Sequence, residues 1–247
     1  MKILQLLRDN ESRTKAARPV NAIQNGAEAS LYVYGVISAD WGVSAEGVAQ
    51  ALAGIKAETL HVYINSPGGD VFEGRAIMAE LRRFSGKTIA HIDSLCASAA
   101  TSIAMACSEV QMSDGAFFMI HEAMGGCFGT KQDMRARADL LEKVEGSIVD
   151  DYKAKTGKEE AEIRAWMDAE TWFSAAEAKE QGFIDSITSD KKAKNTWNLA
   201  AFGKVPEALK APPPDPEPEP EHPEEEPAAA GSFMSTSNAN RLRLLIA

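Results

Sequence analysis

At 247 residues, 45% of them hydrophobic, the chain can bury a full core as one large domain or two small ones. Its formal net charge of −10 is unevenly placed: Asp215, Glu217, Glu219, Glu221, Glu224, Glu225 and Glu226 fall in a stretch without Lys or Arg, and the rest of the chain carries only −3. That balance excludes the basic stripe of a nucleic-acid binder. Cys96, Cys107 and Cys127 are odd in number and form no CxxC pair, which argues against a disulfide framework or zinc site and fits a reducing compartment. The apolar run at Met1–Asp9 is too short for a signal peptide, and no run of about 18 apolar residues is present to span a membrane. The composition predicts a cytoplasmic protein with no metal and no cofactor.

Residues 1–28 are polar and mixed, and read as an N-terminal arm with one short strand or helix. A folded domain is expected over residues 29–190. It begins with a strand at Leu31–Ile37, rich in β-branched and aromatic residues, followed by a helix on which Val48, Leu52 and Ile55 recur at helical spacing. Leu60–Asn65 is a second strand, stopped by the turn signal Ser66-Pro67-Gly68-Gly69-Asp70. A helix through Phe72, Ile77, Leu81 and Phe84 and a third strand at Thr88–Ile92 lead to Asp93–Ala100, a stretch of small residues opening another helix. A turn at Ser113–Gly115 precedes the strand Phe117–Ile120 and then His121. This alternation predicts crossovers and a largely parallel sheet, whose ligands collect at the carboxyl ends of its strands. Both Pro67-Gly68-Gly69 and Ala97-Ser98 fall at such ends.

After the glycine-rich Gly125–Gly129, Thr130 and Asp133 make a capping box for a helix of about 26 residues, well above the average length. Met134, Ala138, Leu141, Val144, Ile148 and Tyr152 trace one face of it, either packed in the core or projecting to meet a partner. A short helix, the segment Glu170–Phe173, a helix capped by Ser174 and Glu177, and a last strand at Phe183–Ile187 complete the domain. Residues 191–247 are expected to be a linker and a mostly disordered tail, since 211–227 alone hold eight of the eleven prolines with the seven acids.

Four histidines permit elimination. His222 lies in the tail, His61 and His91 sit within strands as structural residues, and His121 ends a strand before a glycine-rich loop, where it can act as a base. Ser98 is the leading nucleophile, because Ala99 and Ala100 leave a helix entrance whose N–H groups can receive an anion. Its competing reading is a simple helix N-cap, and Ser94 is the second candidate. Gly68-Gly69 is the source of a further close-approaching amide, each such donor contributing about 3 kcal/mol to an oxyanion. Gly86-Lys87-Thr88 imitates the end of a phosphate-binding loop, but Leu81 stands where its first glycine belongs.

Taken together, Tyr63-Ile64-Asn65-Ser66-Pro67-Gly68-Gly69, Ala97-Ser98-Ala99, Met119-Ile120-His121, Phe173-Ser174-Ala175 and Gly182–Ile187 resemble the proteolytic subunit of the Clp protease, in order and in register from Leu31 to Ile187. The small residues around the serine and the acidic tail look most like the phage head maturation branch of that family. The resemblance implies an α/β crotonase-like ββα spiral with a projecting handle helix, and a ring-forming serine endopeptidase. It implies Ser98 as nucleophile, His121 as base, and the amides of Gly69 and Ala99 as the oxyanion hole. The family's acid falls in register at Glu170, with Asp168 as competitor. Ser94 stands where the family commonly has glycine. Expected partners are further copies of the chain, as a ring or stacked double ring, peptide substrates, and either a separate Clp ATPase or phage coat and scaffold proteins in an infected or lysogenic host. A non-catalytic capsid scaffold and an acyl-CoA enzyme on the same fold are the alternatives.

Overall fold

The strands follow from period-two alternation of apolar side chains. β1 is Ala22–Asn25, β2 Glu28–Tyr34, β3 Thr59–Ser66 and β4 Lys87–Ala97. Ala29, Leu31, Val33, Leu60, Val62 and Ile64 lie buried on one face of the sheet, while Tyr32, Tyr34, His61 and Tyr63 are half-buried on the other. The computed structural model describes residues 2–10, 20–189 and 197–210. A short helix, α1 (Lys2–Asp9), opens the chain. α2 (Ala45–Leu52) starts at Ser44, whose hydroxyl accepts the Gly47 N–H, and α3 (Val71–Arg83) starts at Asp70, which accepts from Phe72 and Glu73. These two helices carry the chain from β2 to β3 and from β3 to β4, and both strand pairs are parallel. β5 (Glu109–Ser113) and β8 (Ser186–Thr188) extend the sheet in the order β1-β2-β3-β4-β5-β8, and only β1 runs antiparallel to its neighbour along that path.

The feature that builds the site is a fork in β4. Ile89–Ile92 pair with β5, but the register slips after Ile64 pairs with Ile92, so that Ser66 meets Cys96. Beyond that slip Leu95–Ala97 pair with β6 (Phe117–Ile120) instead of β5. β6 in turn pairs antiparallel with β7 (Thr171–Ser174). The result is an α/β architecture, with helices linking the strands of a mostly parallel sheet.

α4 (Ala99–Met105) is buried from Ala99 to Ala104, and all of these but Ile103 are small, which lets it sit deep in the core. α5 (Lys131–Thr156) has the Thr130–Asp133 capping box and ends at Gly157 in the left-handed conformation. Only its second half is buried, through Val144, Ile148, Val149 and Tyr152. Met134 and Leu140 in the first half are exposed, and so is Phe128 just before it. The apolar face read along this helix therefore divides into a packed part and a projecting part. α6 (Glu160–Asp168) and α7 (Ala175–Glu180) flank β7, and the Ser174–Glu177 capping box is present as expected. Phe183 ties these pieces together, with its ring 5.0 Å from Phe118, 5.1 Å from Phe173 and 5.6 Å from Tyr152. Aromatic pairs of this kind add about 0.5–1.5 kcal/mol each beyond area burial.

Residues 197–210, within the stretch 191–247 expected to be a linker and a mostly disordered tail, form a packed strap in which Trp197, Leu199, Ala201, Phe202 and Leu209 are buried against Leu6, Leu95, Ala97 and Met119. Their apolar content offsets the entropy lost in ordering them. The arm holds both a short helix and a short strand: α1 docks on this strap through Leu6, and β1 completes the sheet edge. The acidic tail from residue 211 lies outside the described residues.

Candidate active site

Ser98 follows directly on β4, and His121 directly on β6. Because Ala97 pairs with Met119 and the Ser98 N–H donates to the Met119 carbonyl at 2.9 Å, the two strand ends are held side by side. The Ser98 Oγ lies 2.7 Å from His121 Nε2. Ser98 occupies the N-cap position of α4 but makes no side-chain cap, so its hydroxyl is committed to the imidazole and not to the helix. Ser94, the second candidate, is buried within β4, and Ser102 is buried one turn into α4.

The same register argument separates the two carboxylates. Ile120 pairs with Thr171 across the antiparallel β6–β7 ladder, so the next residue outward on each strand sets His121 opposite Glu170. Asp168 is exposed at the last turn of α6, before the chain reverses. Ser98 (φ 53°) and Glu170 (φ 50°) are the two non-glycine residues with positive φ among the described residues. Such backbone costs about 1–3 kcal/mol per residue and persists where the surroundings over-determine it.

Glu170 is firmly held. Its Oε2 accepts the Gly203 N–H at 2.8 Å, and its Oε1 accepts the Lys204 N–H at 2.6 Å and the Trp172 indole N–H at 3.3 Å. Burial disfavours its charged form, but the two backbone donors, the indole and the nearby His121 outweigh that effect and keep the carboxyl below its usual range.

The glycine turn between β3 and α3 supplies free amides. The Ile37 N–H donates to the Gly68 carbonyl and the Asp70 N–H to the Ile37 carbonyl, both at 2.9 Å, so the Gly69 N–H points away from Ile37. Neither the Gly69 nor the Ala99 N–H donates to a protein acceptor among the described residues. Both residues line one cleft of about 180 Å³ with Ser98 and His121. Glycine is required at both turn positions. A Cβ on Gly68 (φ 88°) would meet the Ala97 carbonyl oxygen at 2.6 Å and Ser98 Cβ at 2.8 Å, and one on Gly69 (φ 153°) would meet the Ile37 carbonyl oxygen at 2.0 Å.

Several participants were not anticipated from sequence. α5 reaches Ser98 through Tyr152, whose hydroxyl lies 2.6 Å from Thr101 Oγ1, itself donating to the Ser98 carbonyl at 2.6 Å. Arg137, Ile148 and Tyr152, spaced to share one face of that helix, line the cleft with Gly125 and Gly126. Phe202 from the strap stands edge-on to the His121 ring at 5.6 Å. Among the described residues no group of His, Cys, Asp and Glu could hold a metal ion, and no helix is long and apolar enough to cross a membrane. Cys96 is fully buried, and burial pushes its thiol up; burial likewise pushes Cys107 up to about 12. Both behave as packing residues.

Comparison with known proteins gives the family. The Clp protease family profile matches residues 31–191, more than half of the chain. The chain belongs to the Clp protease family. It is 30% identical over 138 residues to ATP-dependent Clp protease proteolytic subunit 1 of Prochlorococcus marinus, covering 55% of this chain and 70% of that protein. It is also 30% identical over 135 residues to proteolytic subunit 2 of Treponema denticola, covering 54% and 68%. A solved ClpP1 mutant from Listeria monocytogenes matches with a TM-score of 0.59 at 23% identity, over 66% of this chain and 92% of that one, a likeness of fold. As a member of the Clp protease family, the chain is a serine-type peptidase.

Proposed function

We propose that the protein is an endopeptidase acting through an acyl-enzyme on Ser98. The observation that carries this reading is the 2.7 Å contact between Ser98 Oγ and His121 Nε2, set in a cleft with unengaged amides beside it. Ser98 Oγ attacks the scissile carbonyl while its proton passes to His121 Nε2. The resulting oxyanion takes hydrogen bonds from the Gly69 and Ala99 N–H groups, each such donor being worth about 3 kcal/mol in the transition state. Collapse of the tetrahedral intermediate breaks the C–N bond, and the imidazolium gives its proton to the departing amine. Water, deprotonated by the same imidazole, then releases the acyl group. Glu170 stays ionised and orients the ring, a role its strand register and its backbone hydrogen bonds both support.

For the setting, we infer processing of phage coat or scaffold proteins in an infected or lysogenic host, by a ring of identical subunits. Support comes from the small residues around Ser98, from the acidic Pro-rich sequence of residues 211–227, and from the exposed Phe128, Met134 and Leu140 that a second copy would cover. Degradation fed by a separate Clp ATPase is the other setting the family suggests. The Ser98–His121 contact disfavours acyl-CoA chemistry, which uses an oxyanion hole without a serine nucleophile.

The test is to incubate wild type and Ser98→Ala with a candidate capsid precursor and with an unfolded protein, and to weigh the products. Discrete cuts in the precursor by wild type alone are expected. Equal processing by Ser98→Ala would reject the enzyme reading in favour of a scaffold, and turnover of thioesters without peptide cleavage would favour the acyl-CoA alternative.

A further inference from the structure

The strap at residues 197–210 lies past the residues that match the family profile, yet it reaches the end of β3, the His121 ring and the Glu170 carboxylate. The Trp197 indole donates to Asn65 Oδ1 at 2.8 Å, at the end of β3 where the glycine turn begins. Phe202 packs edge-on to His121 and, at 5.7 Å, to Trp172. The backbone N–H groups of Gly203 and Lys204 hold the two oxygens of Glu170, and Lys204 Nζ donates to the Ala169 carbonyl at 2.5 Å. The strap is itself anchored. Asn10 donates to the Asn198 carbonyl at 2.8 Å and accepts the Asn198 N–H at 2.7 Å, and Leu6 of α1 packs against the strap's apolar side chains.

We propose that residues 197–210 are a positioning element of the catalytic site, in which the Gly203 and Lys204 amides fix the Glu170 carboxylate and Phe202 fixes the His121 ring. The inference rests on the reading of Glu170 as the acid of the triad. Glu170 is a long side chain on a left-handed turn at the edge of a two-strand ladder, where its rotamers would otherwise be poorly restrained. Two charge-assisted bonds to a carboxylate restrain it and favour its ionised form. An acid that serves only to orient an imidazole contributes through geometry, and a displacement of about 1 Å can cost on the order of a hundredfold in rate. The donors are main-chain amides, so the device depends on the strap's path and not on the identity of residue 204. A strap that merely buried apolar surface would have no need to place consecutive amides on both oxygens of one carboxylate.

This separation of path from side chain gives the test, made on the full chain with a peptide substrate. Lys204→Ala keeps the amide and is expected to retain kcat within about twofold, while Lys204→Pro deletes the amide and is expected to lower kcat roughly tenfold with KM little changed. Gly203→Pro, which deletes the other donor, is expected to behave alike. In a Glu170→Ala background Lys204→Pro should cost nothing further, because there is no carboxylate left to hold. Lys204→Pro matching Lys204→Ala would overturn the proposal. So would a full additional loss on top of Glu170→Ala, which would assign the strap to fold stability alone. If Glu170→Ala by itself left kcat intact, the triad reading would fail first, and that outcome is visible whatever the strap variants do.

Discussion

Glu170 and Asp168 are two residues apart and chemically equivalent as partners for an imidazole, so only geometry can choose between them. Three observations favour Glu170: the β6–β7 register sets it across from His121, its backbone turns left-handed at that point, and nearby donors hold its carboxylate charged. Asp168 sits exposed on the end of α6. Removing an orienting carboxylate from a triad of this type costs about 10⁴ in kcat. Glu170→Ala is therefore expected to lower kcat by two to four orders of magnitude, roughly, with KM nearly unchanged, and Asp168→Asn to stay within about twofold of wild type. Steady-state kinetics on a fluorogenic peptide checks both, and the reverse ranking would move the acid to Asp168. The sequence preferred Glu170 only through the family resemblance and left Asp168 as competitor, because the register that favours Glu170 belongs to a ladder closed between residues about fifty apart. Ser98 and His121 were easier to find: each directly follows a β-rich segment and meets small or glycine-rich residues on its far side.

At the scale of elements, the site is a product of the fork in β4. One half of that strand belongs to the main sheet and the other pairs with β6, which brings Ser98 and His121 to neighbouring strand ends. The strands and capped helices were legible from alternation and capping boxes, but the fork was not, since nothing local to Asp93–Leu95 announces a register slip. The glycine turn after β3 is the third element to converge. Gly69→Ala places a methyl group 2.0 Å from the Ile37 carbonyl oxygen, on a backbone angle that alanine disfavours, so the turn must shift and carry the Gly69 amide with it. Loss of one oxyanion donor is expected to cost on the order of 10²–10³ in kcat. Circular dichroism run beside the kinetics separates this from unfolding, and a folded Gly69→Ala with wild-type kcat would remove Gly69 from the oxyanion hole.

For the molecule as a whole, the arm and the strap change how the chain divides. The sequence suggested a catalytic domain between a short arm and a mostly disordered tail. Instead α1 and residues 197–210 pack on each other and on β4, β6 and β7, closing one side of the cleft with Leu6 and Phe202. The signal was present in the alternation of Trp197, Leu199 and Ala201 beside Phe202, but the adjoining Pro/Glu-rich stretch masked it. The handle helix was legible as a long element, and its division into a buried half and a projecting half depended on where α4 and Phe183 pack. The central claim, a serine nucleophile activated by His121, is tested most directly by treating the intact protein with a fluorophosphonate and mapping the adduct by mass spectrometry. The account predicts a single covalent adduct on Ser98 in wild type, lost in His121→Ala. An adduct on another serine, or labelling of Ser98 undiminished by His121→Ala, would contradict it.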